Sequence, residues 1–151
     1  MDYELLIRQL ESLAETDSWA LPLLSNASAL LYEALDEVNW AGFYLMREGR
    51  LVLGPFQGKV ACVHIAVGKG VCGAAVAQDR TQRVMDVHQF PGHIACDAAS
   101  RSEIVVPLHA GGEVVGVLDI DSPVEGRFLE ADQAGLEAFA RALERLTPFV
   151  L

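Results

Sequence analysis

The sequence predicts an α+β fold, a largely antiparallel sheet with helices packed on it. Apolar residues recur at helical spacing at both ends of the chain, short strand-like segments lie between them, and glycine turns join consecutive strands into hairpins, which makes neighbours antiparallel. At the N-terminus Leu6, Leu10 and Leu13 form a helical stripe with Ile7 beside it. Asp17 or Ser18 is the expected cap of a second helix, with Pro22 in its first turns and apolar residues running to Leu35. Residues 38–45 read as a strand, Arg47-Glu48-Gly49-Arg50 as a turn and 51–53 as a short partner strand. Residues 54–58 read as a loop. Residues 60–67 alternate loosely and read as a strand carrying Cys62; Gly68-Lys69-Gly70 then turns the chain into a short helix, 71–77, carrying Cys72. A short strand, 82–86, leads into a long irregular connection, 87–100, of the kind that serves as a lid or binding loop. Residues 102–109 and 113–121 form the strongest hairpin, turning at Ala110-Gly111-Gly112. Glu130–Leu146 closes the chain as an amphipathic helix with Leu136, Phe139, Ala140, Leu143 and Leu146 on one face.

At 151 residues the chain is expected to form one domain, 1–151, able to bury its own core. A net charge of −10 argues against nucleic acid and anionic membrane surfaces as partners, since both reward basic patches. No apolar run approaches the ~20 residues that span a bilayer. The N-terminal Met1-Asp2-Tyr3-Glu4 lacks the basic start and apolar stretch of a signal peptide, so a cytoplasmic location is expected. Three cysteines in a reducing compartment argue against a structural disulfide framework and leave metal binding, redox chemistry or inert burial.

All three cysteines fall between positions 62 and 96. Cys96 follows a Pro91-Gly92 turn and precedes a Ser/Arg/Ser/Glu cluster, which places it on a loop rather than in an apolar run. An accessible thiol of low pKa is a nucleophile and a redox group. Its sulfenic acid condenses with a second thiol to a disulfide, and Cys62 and Cys72 are candidates for that step. Burial of all three as small hydrophobes is the plain alternative, strongest for Cys72 within Gly-Val-Cys-Gly-Ala-Ala-Val. His93, Cys96, Cys62 and Cys72 would make a zinc set, but the paired Cys-x-x-Cys knuckle is missing, and no metal is expected. Among the acids, Asp119 and Asp121 share one strand face, and Glu103 begins the preceding strand. Like charges on one buried face raise a pKa, and a carboxyl that keeps its proton serves as an acid. Trp40 and Tyr44 also share a face and would wall a small-molecule pocket. The four histidines are scattered, and none is assigned as a base.

Together the segments Trp40-Ala-Gly-Phe-Tyr44, Leu53-Gly-Pro-Phe-Gln-Gly58, Ala61-Cys62, Gly68-Lys-Gly-Val-Cys-Gly73, Asp86-Val-His88, Phe90-Pro-Gly-His-Ile-Ala-Cys-Asp97, Ser102-Glu-Ile104 and Gly116-Val-Leu-Asp-Ile-Asp-Ser122 resemble the free methionine-(R)-sulfoxide reductases, small GAF-domain enzymes. The resemblance implies a GAF domain with a central antiparallel sheet of about six strands flanked by helices. It implies reduction of free methionine-R-sulfoxide to methionine, with thioredoxin as reductant and no cofactor. It matches Cys96 to the nucleophile, Cys62 to the usual resolving cysteine and Cys72 to a third cysteine of less settled role. Glu103, Asp119 and Asp121 match substrate-binding carboxylates, and Trp40 and Tyr44 match pocket aromatics. Small GAF domains often pair through their helices, which makes a homodimer an expectation. Ala66 stands where the family typically has proline, a change that touches no reactive group. The alternative reading is a non-catalytic GAF sensor of a small molecule or of redox state.

Overall fold

The computed structural model describes residues 1–93 and 99–150. The described elements run α1 (Tyr3–Thr16), α2 (Ala20–Ala34), β1 (Trp40–Arg47), β2 (Arg50–Gly58), β3 (His64–Ala66), α3 (Gly70–Gln78), β4 (Gln82–Val84), a 3₁₀ turn (Val87–Gln89), β5 (Ser102–Ala110), β6 (Glu113–Ser122) and α4 (Glu130–Leu146). The strands form one sheet in the order β3-β2-β1-β6-β5-β4, and every neighbouring pair is antiparallel. This is the α+β architecture expected. Among the described residues no helix is long and apolar enough to cross a membrane.

Alternation along the strands sorts side chains onto two faces. Ala41, Phe43, Ile104, Val106, Leu108, Leu118 and Ile120 face a core filled by α1, α2 and α4, with Leu10, Leu24, Leu136 and Phe139 at its centre. Trp40, Tyr44, Val105 and Val117 face the other way, toward α3, where Val71, Cys72 and Ala75 cover them. The helical stripes read in the sequence are those that bury, although Leu13 stays at the surface and α1 buries only Leu6 and Leu10.

Three local expectations need correction. Trp19, not Asp17 or Ser18, occupies the N-cap of α2 and makes no side-chain cap; the Asp17 carboxylate accepts from the Trp19 amide at 2.8 Å, two residues short of the first-turn amides a cap serves. The expected loop 54–58 is the second half of β2. Its register slips between Gly42 and Tyr44 of β1, so the strand carries a bulge where Pro55, which has no amide proton to give, is accommodated. The Ser28 hydroxyl of α2 donates to the Pro55 carbonyl at 3.2 Å. Gly42 is required there, because a Cβ at that position would collide with Phe56. Finally, only His64–Ala66 pairs as a strand within 60–67, and Cys62 lies on the irregular segment before it.

Candidate active site

The site lies on the α3 side of the sheet, at the ends of β1, β5 and β6. Register brings its parts together: Trp40 is paired with Asp121, and Asp121 with Glu103, across three adjacent strands. One step along the same face, Gly42 pairs with Asp119, whose other neighbour is Val105; the next step pairs Tyr44 with Val117. Trp40, Tyr44, Cys72, Glu103, Asp119 and Asp121, all named from the sequence, line a single cavity.

The aromatic wall also holds the segment above it. Trp40 stacks on Tyr44 and Phe56, with ring centroids 5.9 and 5.1 Å away. Trp40 Nε1 donates to the Lys59 carbonyl at 3.1 Å, and the Tyr44 hydroxyl donates to the Cys62 carbonyl at 2.9 Å. The Tyr44 hydroxyl is thus engaged by the backbone that carries Cys62. Burial, followed by the charge of Asp119, raises the Tyr44 pKa and keeps it a donor.

The acids are buried to different depths. Glu103 and Asp119 are 8% and 5% exposed, and Asp121 is partly exposed. Burial pushes the Glu103 carboxyl well above its ordinary value, and the negative charges of Asp119 and Asp121 push it further. Asp119 is also raised by burial, against the opposing pull of hydrogen bonds. One of these comes from Cys72, whose Sγ lies 3.4 Å from Asp119 Oδ2. Burial and the neighbouring acids push the Cys72 thiol far up, so it is held as a neutral donor. Cys72, Glu103 and Asp119 come within 4.8 Å of one another, but the Cys72 thiol is held neutral as the donor to Asp119, whereas a thiol that ligates a metal is deprotonated.

Cys62 does not line the cavity, although Val60 and Ala61 just before it do. It is disulfide-bonded, and Cys72 is free. Cys96 and the loop placement read for it lie outside the described residues. Sequence reasoning considered His93 only as a zinc ligand and missed Ser100 and the start of α3, all of which also line the cavity. His93 sat in the same motif as Cys96, which was the available signal. Burial, then the neighbouring His88, lowers its pKa and leaves a neutral imidazole near pH 7. Nothing local marked Ser100, whose hydroxyl accepts from Asn39 Nδ2 at 3.3 Å.

This fold, a six-stranded antiparallel sheet with an acid-lined cavity on its α3 side, is that of a GAF domain, and the GAF domain family model matches residues 3–145. The chain is 56% identical to the free methionine-R-sulfoxide reductase of Escherichia coli over 144 residues, covering 95% of this chain and 87% of the relative. It superposes on the Staphylococcus aureus fRMsr in complex with substrate with a TM-score of 0.92 at 53% identity, covering 97% and 95% of the two chains. For the Neisseria meningitidis free methionine-R-sulfoxide reductase in complex with its substrate the TM-score is 0.91 at 44% identity, covering 95% and 87%. The chain belongs to this family, the GAF-domain free methionine-R-sulfoxide reductases, and is an oxidoreductase.

Proposed function

We propose that this protein reduces free methionine-R-sulfoxide to methionine by thiol chemistry, with thioredoxin restoring the thiols. The observation that carries the reading is the buried Glu103–Asp119–Asp121 cluster facing the Trp40–Tyr44 wall in one cavity. A sulfoxide sulfur becomes electrophilic once its oxygen is protonated. Glu103, held in its acid form by burial and two carboxylate neighbours, is the group that gives this proton. The Cys96 thiolate attacks the protonated sulfoxide at sulfur, the hydroxyl passes from that sulfur to the Cys96 sulfur as the substrate S–O bond breaks, and methionine departs with the electron pair of the reduced thioether, leaving Cys96 oxidised by two electrons to a sulfenic acid. The Cys62 thiol attacks that sulfur and water leaves, forming a disulfide, which a dithiol of thioredoxin opens by exchange. That Cys62 is disulfide-bonded while Cys72 is free supports Cys62 as the exchanging thiol. Cys72 then acts as the hydrogen-bond donor that fixes Asp119. Asp119 and Asp121 attract the ammonium of a free amino acid, which a peptide-bound residue lacks.

The test is turnover of separate R and S epimers of free methionine sulfoxide with thioredoxin. Activity on R alone, abolished in Cys96→Ser, supports the reading; a Cys96→Ser protein as active as the parent overturns it. Cys62→Ser is expected to release one methionine per protein and then stop. Sustained turnover in that variant would transfer the resolving role to Cys72.

A further inference from the structure

The segment that carries Cys62 is fixed from below and bare above. Three of its carbonyls are taken: that of Lys59 accepts from Trp40 Nε1 at 3.1 Å, that of Cys62 from the Tyr44 hydroxyl at 2.9 Å and that of Val63 from the Leu53 amide at 2.9 Å. Bonds from β1 and β2 thus hold the backbone, and the valines along it stand out. Val60 is 88% exposed, Val63 56% and Val67, just beyond β3, 40%. Strand β3 is an edge of the sheet and pairs only with β2. Single exposed apolar side chains are ordinary, but three β-branched ones within residues 60–67, beside a disulfide-bonded sulfur, make a patch.

Charge marks the same surface. The protein has 21 acids and a net charge of −10, yet residues 49–78 contain no Asp or Glu. The chain's two lysines, Lys59 and Lys69, both fall in this stretch. Neither has an ion-pair partner among the described residues. Each adjoins the rim of the cavity, because Lys59 precedes Val60 and Lys69 precedes Gly70, and Val60 and Gly70 line it. Cys62 therefore lies on a segment flanked by two unpaired ammonium groups, on a protein that is acidic overall. Such a face attracts an acidic partner and steers its approach.

We propose that Lys59, Val63, Val67 and Lys69, with Val60 at the cavity rim, form the docking face for the reductant, a dithiol protein whose reactive thiol sits in an apolar patch bordered by acidic residues. The proposal rests on the reductase reading above, in which the Cys62 disulfide must be opened after each turnover, and adds where the reductant binds. Exchange requires the incoming thiolate to meet a sulfur in line with the S–S bond, so the protein that carries it must cover the surface around that sulfur. The thiolate attacks Cys62 Sγ to form a mixed disulfide, and the sulfur formerly bonded to Cys62 leaves as a thiolate and takes up a proton. The reductant's second thiol, as its thiolate, then attacks the first; Cys62 leaves and is protonated, and the reductant departs as a disulfide. Two electrons and two protons pass from the dithiol to this chain. A small dithiol can do the same chemistry without needing a docking face.

The experiment measures turnover of free methionine-R-sulfoxide by the full chain with two reductants, thioredoxin and dithiothreitol. One variant combines Lys59→Glu with Lys69→Glu and reverses both charges; the other, Val63→Ser, removes apolar surface. None of these three side chains lines the cavity. In the charge variant kcat/KM for thioredoxin is expected to fall about tenfold at low salt, and the deficit to shrink to about twofold at high salt, because charges at the rim of an interface act through a screened field. Val63→Ser should lower it about fivefold at either salt, the scale of one partly buried valine. With dithiothreitol both variants should turn over at the parent rate, and KM for the sulfoxide should not move. Unchanged thioredoxin kinetics in both variants overturn the proposal. So does an equal loss with dithiothreitol, which would place the effect in the disulfide rather than in docking. If Val63→Ser separates a dimer of this chain and leaves thioredoxin kinetics alone, the face belongs to a second copy and the proposal falls. Parent protein that turns over with dithiothreitol but not with thioredoxin would remove the docking face alone, whereas no turnover with either would remove the reductase reading with it.

Discussion

Glu103 begins β5 opposite Asp121, and its carboxyl has two acids for neighbours and almost no solvent. Water cannot stabilise its charge and the neighbours oppose it, so the folded protein keeps the proton to a higher pH than the unfolded chain does. The sign of the linkage follows. For a group whose folded pKa is raised, the stability contribution is complete below the unfolded value, about 4.3 for glutamate, and is lost as pH rises through the folded value. Glu103→Gln keeps the shape and a hydrogen-bond donor but has no proton to give up. It should lower turnover about 10²- to 10⁴-fold, the usual worth of a positioned acid. The same variant should be more stable than the parent at alkaline pH, where the parent must ionise a buried carboxyl. Urea titrations at pH 6 and pH 9 beside turnover assays check both halves. A variant that loses activity but shows no alkaline gain would mean that Glu103 is not where the proton is kept. Parent activity should likewise decline as pH rises through the Glu103 pKa.

The elements around the site are tied at points remote from it. Where β5 ends, His109 places Nε2 2.6 Å from Asp79 at the C-cap of α3 and Nδ1 2.8 Å from Glu144 on α4. Arg141 of α4 joins the same group, pairing with Glu144 at 2.7 Å and donating to the Pro107 carbonyl. Partial burial pulls the imidazolium down, but the hydrogen bonds and charges of Asp79 and Glu144 outweigh it, and the pKa is raised. The clamp between α3, β5 and α4 is therefore complete below pH ~6.5 and is lost as pH rises through the raised pKa. His109→Leu should cost about 1–2 kcal/mol at pH 5.5, discounted for the exposure of Asp79, and much less at pH 8.5. Denaturant titrations of both proteins at the two pH values measure this, and a cost independent of pH would refute it. The sequence showed such elements unevenly. Helix α4 and the β5–β6 hairpin were legible because a 3.6-residue stripe and a Gly111-Gly112 turn are local signals. The second half of β2 was not, since Gly54-Pro55 is a turn signal that only the pairing with β1 overrides. In 60–67, Val60 and Val63 imitated a strand pattern but stand exposed. At the site, period two correctly put Asp119 with Asp121 and Trp40 with Tyr44. Placing Glu103 beside Asp121, and the α3 start beside Asp119, needed strand register and packing between distant segments, which no window of sequence contains.

One sheet separates two apolar cores, and the separation divides labour within the molecule. The face toward α1, α2 and α4 holds the large buried side chains Phe43, Phe128, Phe139 and Leu136, far in function from the acids on the other face. The face toward α3 is smaller and mixes its apolar residues with Cys72, Glu103 and Asp119. Stability and reactivity should therefore respond to different substitutions. Phe139→Ala empties a fully buried ring from the helical core and should cost about 3–5 kcal/mol. The protein that remains folded should keep its kcat and KM, because no strand of the site loses a partner on its own face. Tyr44→Phe removes only the hydroxyl that holds the Cys62 carbonyl, a change of about 1 kcal/mol in stability. On the proposed mechanism it should nevertheless slow reductive recycling several-fold, because the segment bearing Cys62 loses its anchor, while methionine release in a single turnover stays near the parent rate. Thermal melts, single-turnover release and steady-state turnover of the two variants distinguish these effects. If Phe139→Ala disturbs the kinetics of the folded fraction as much as Tyr44→Phe does, the sheet does not insulate its two faces and the cores act as one.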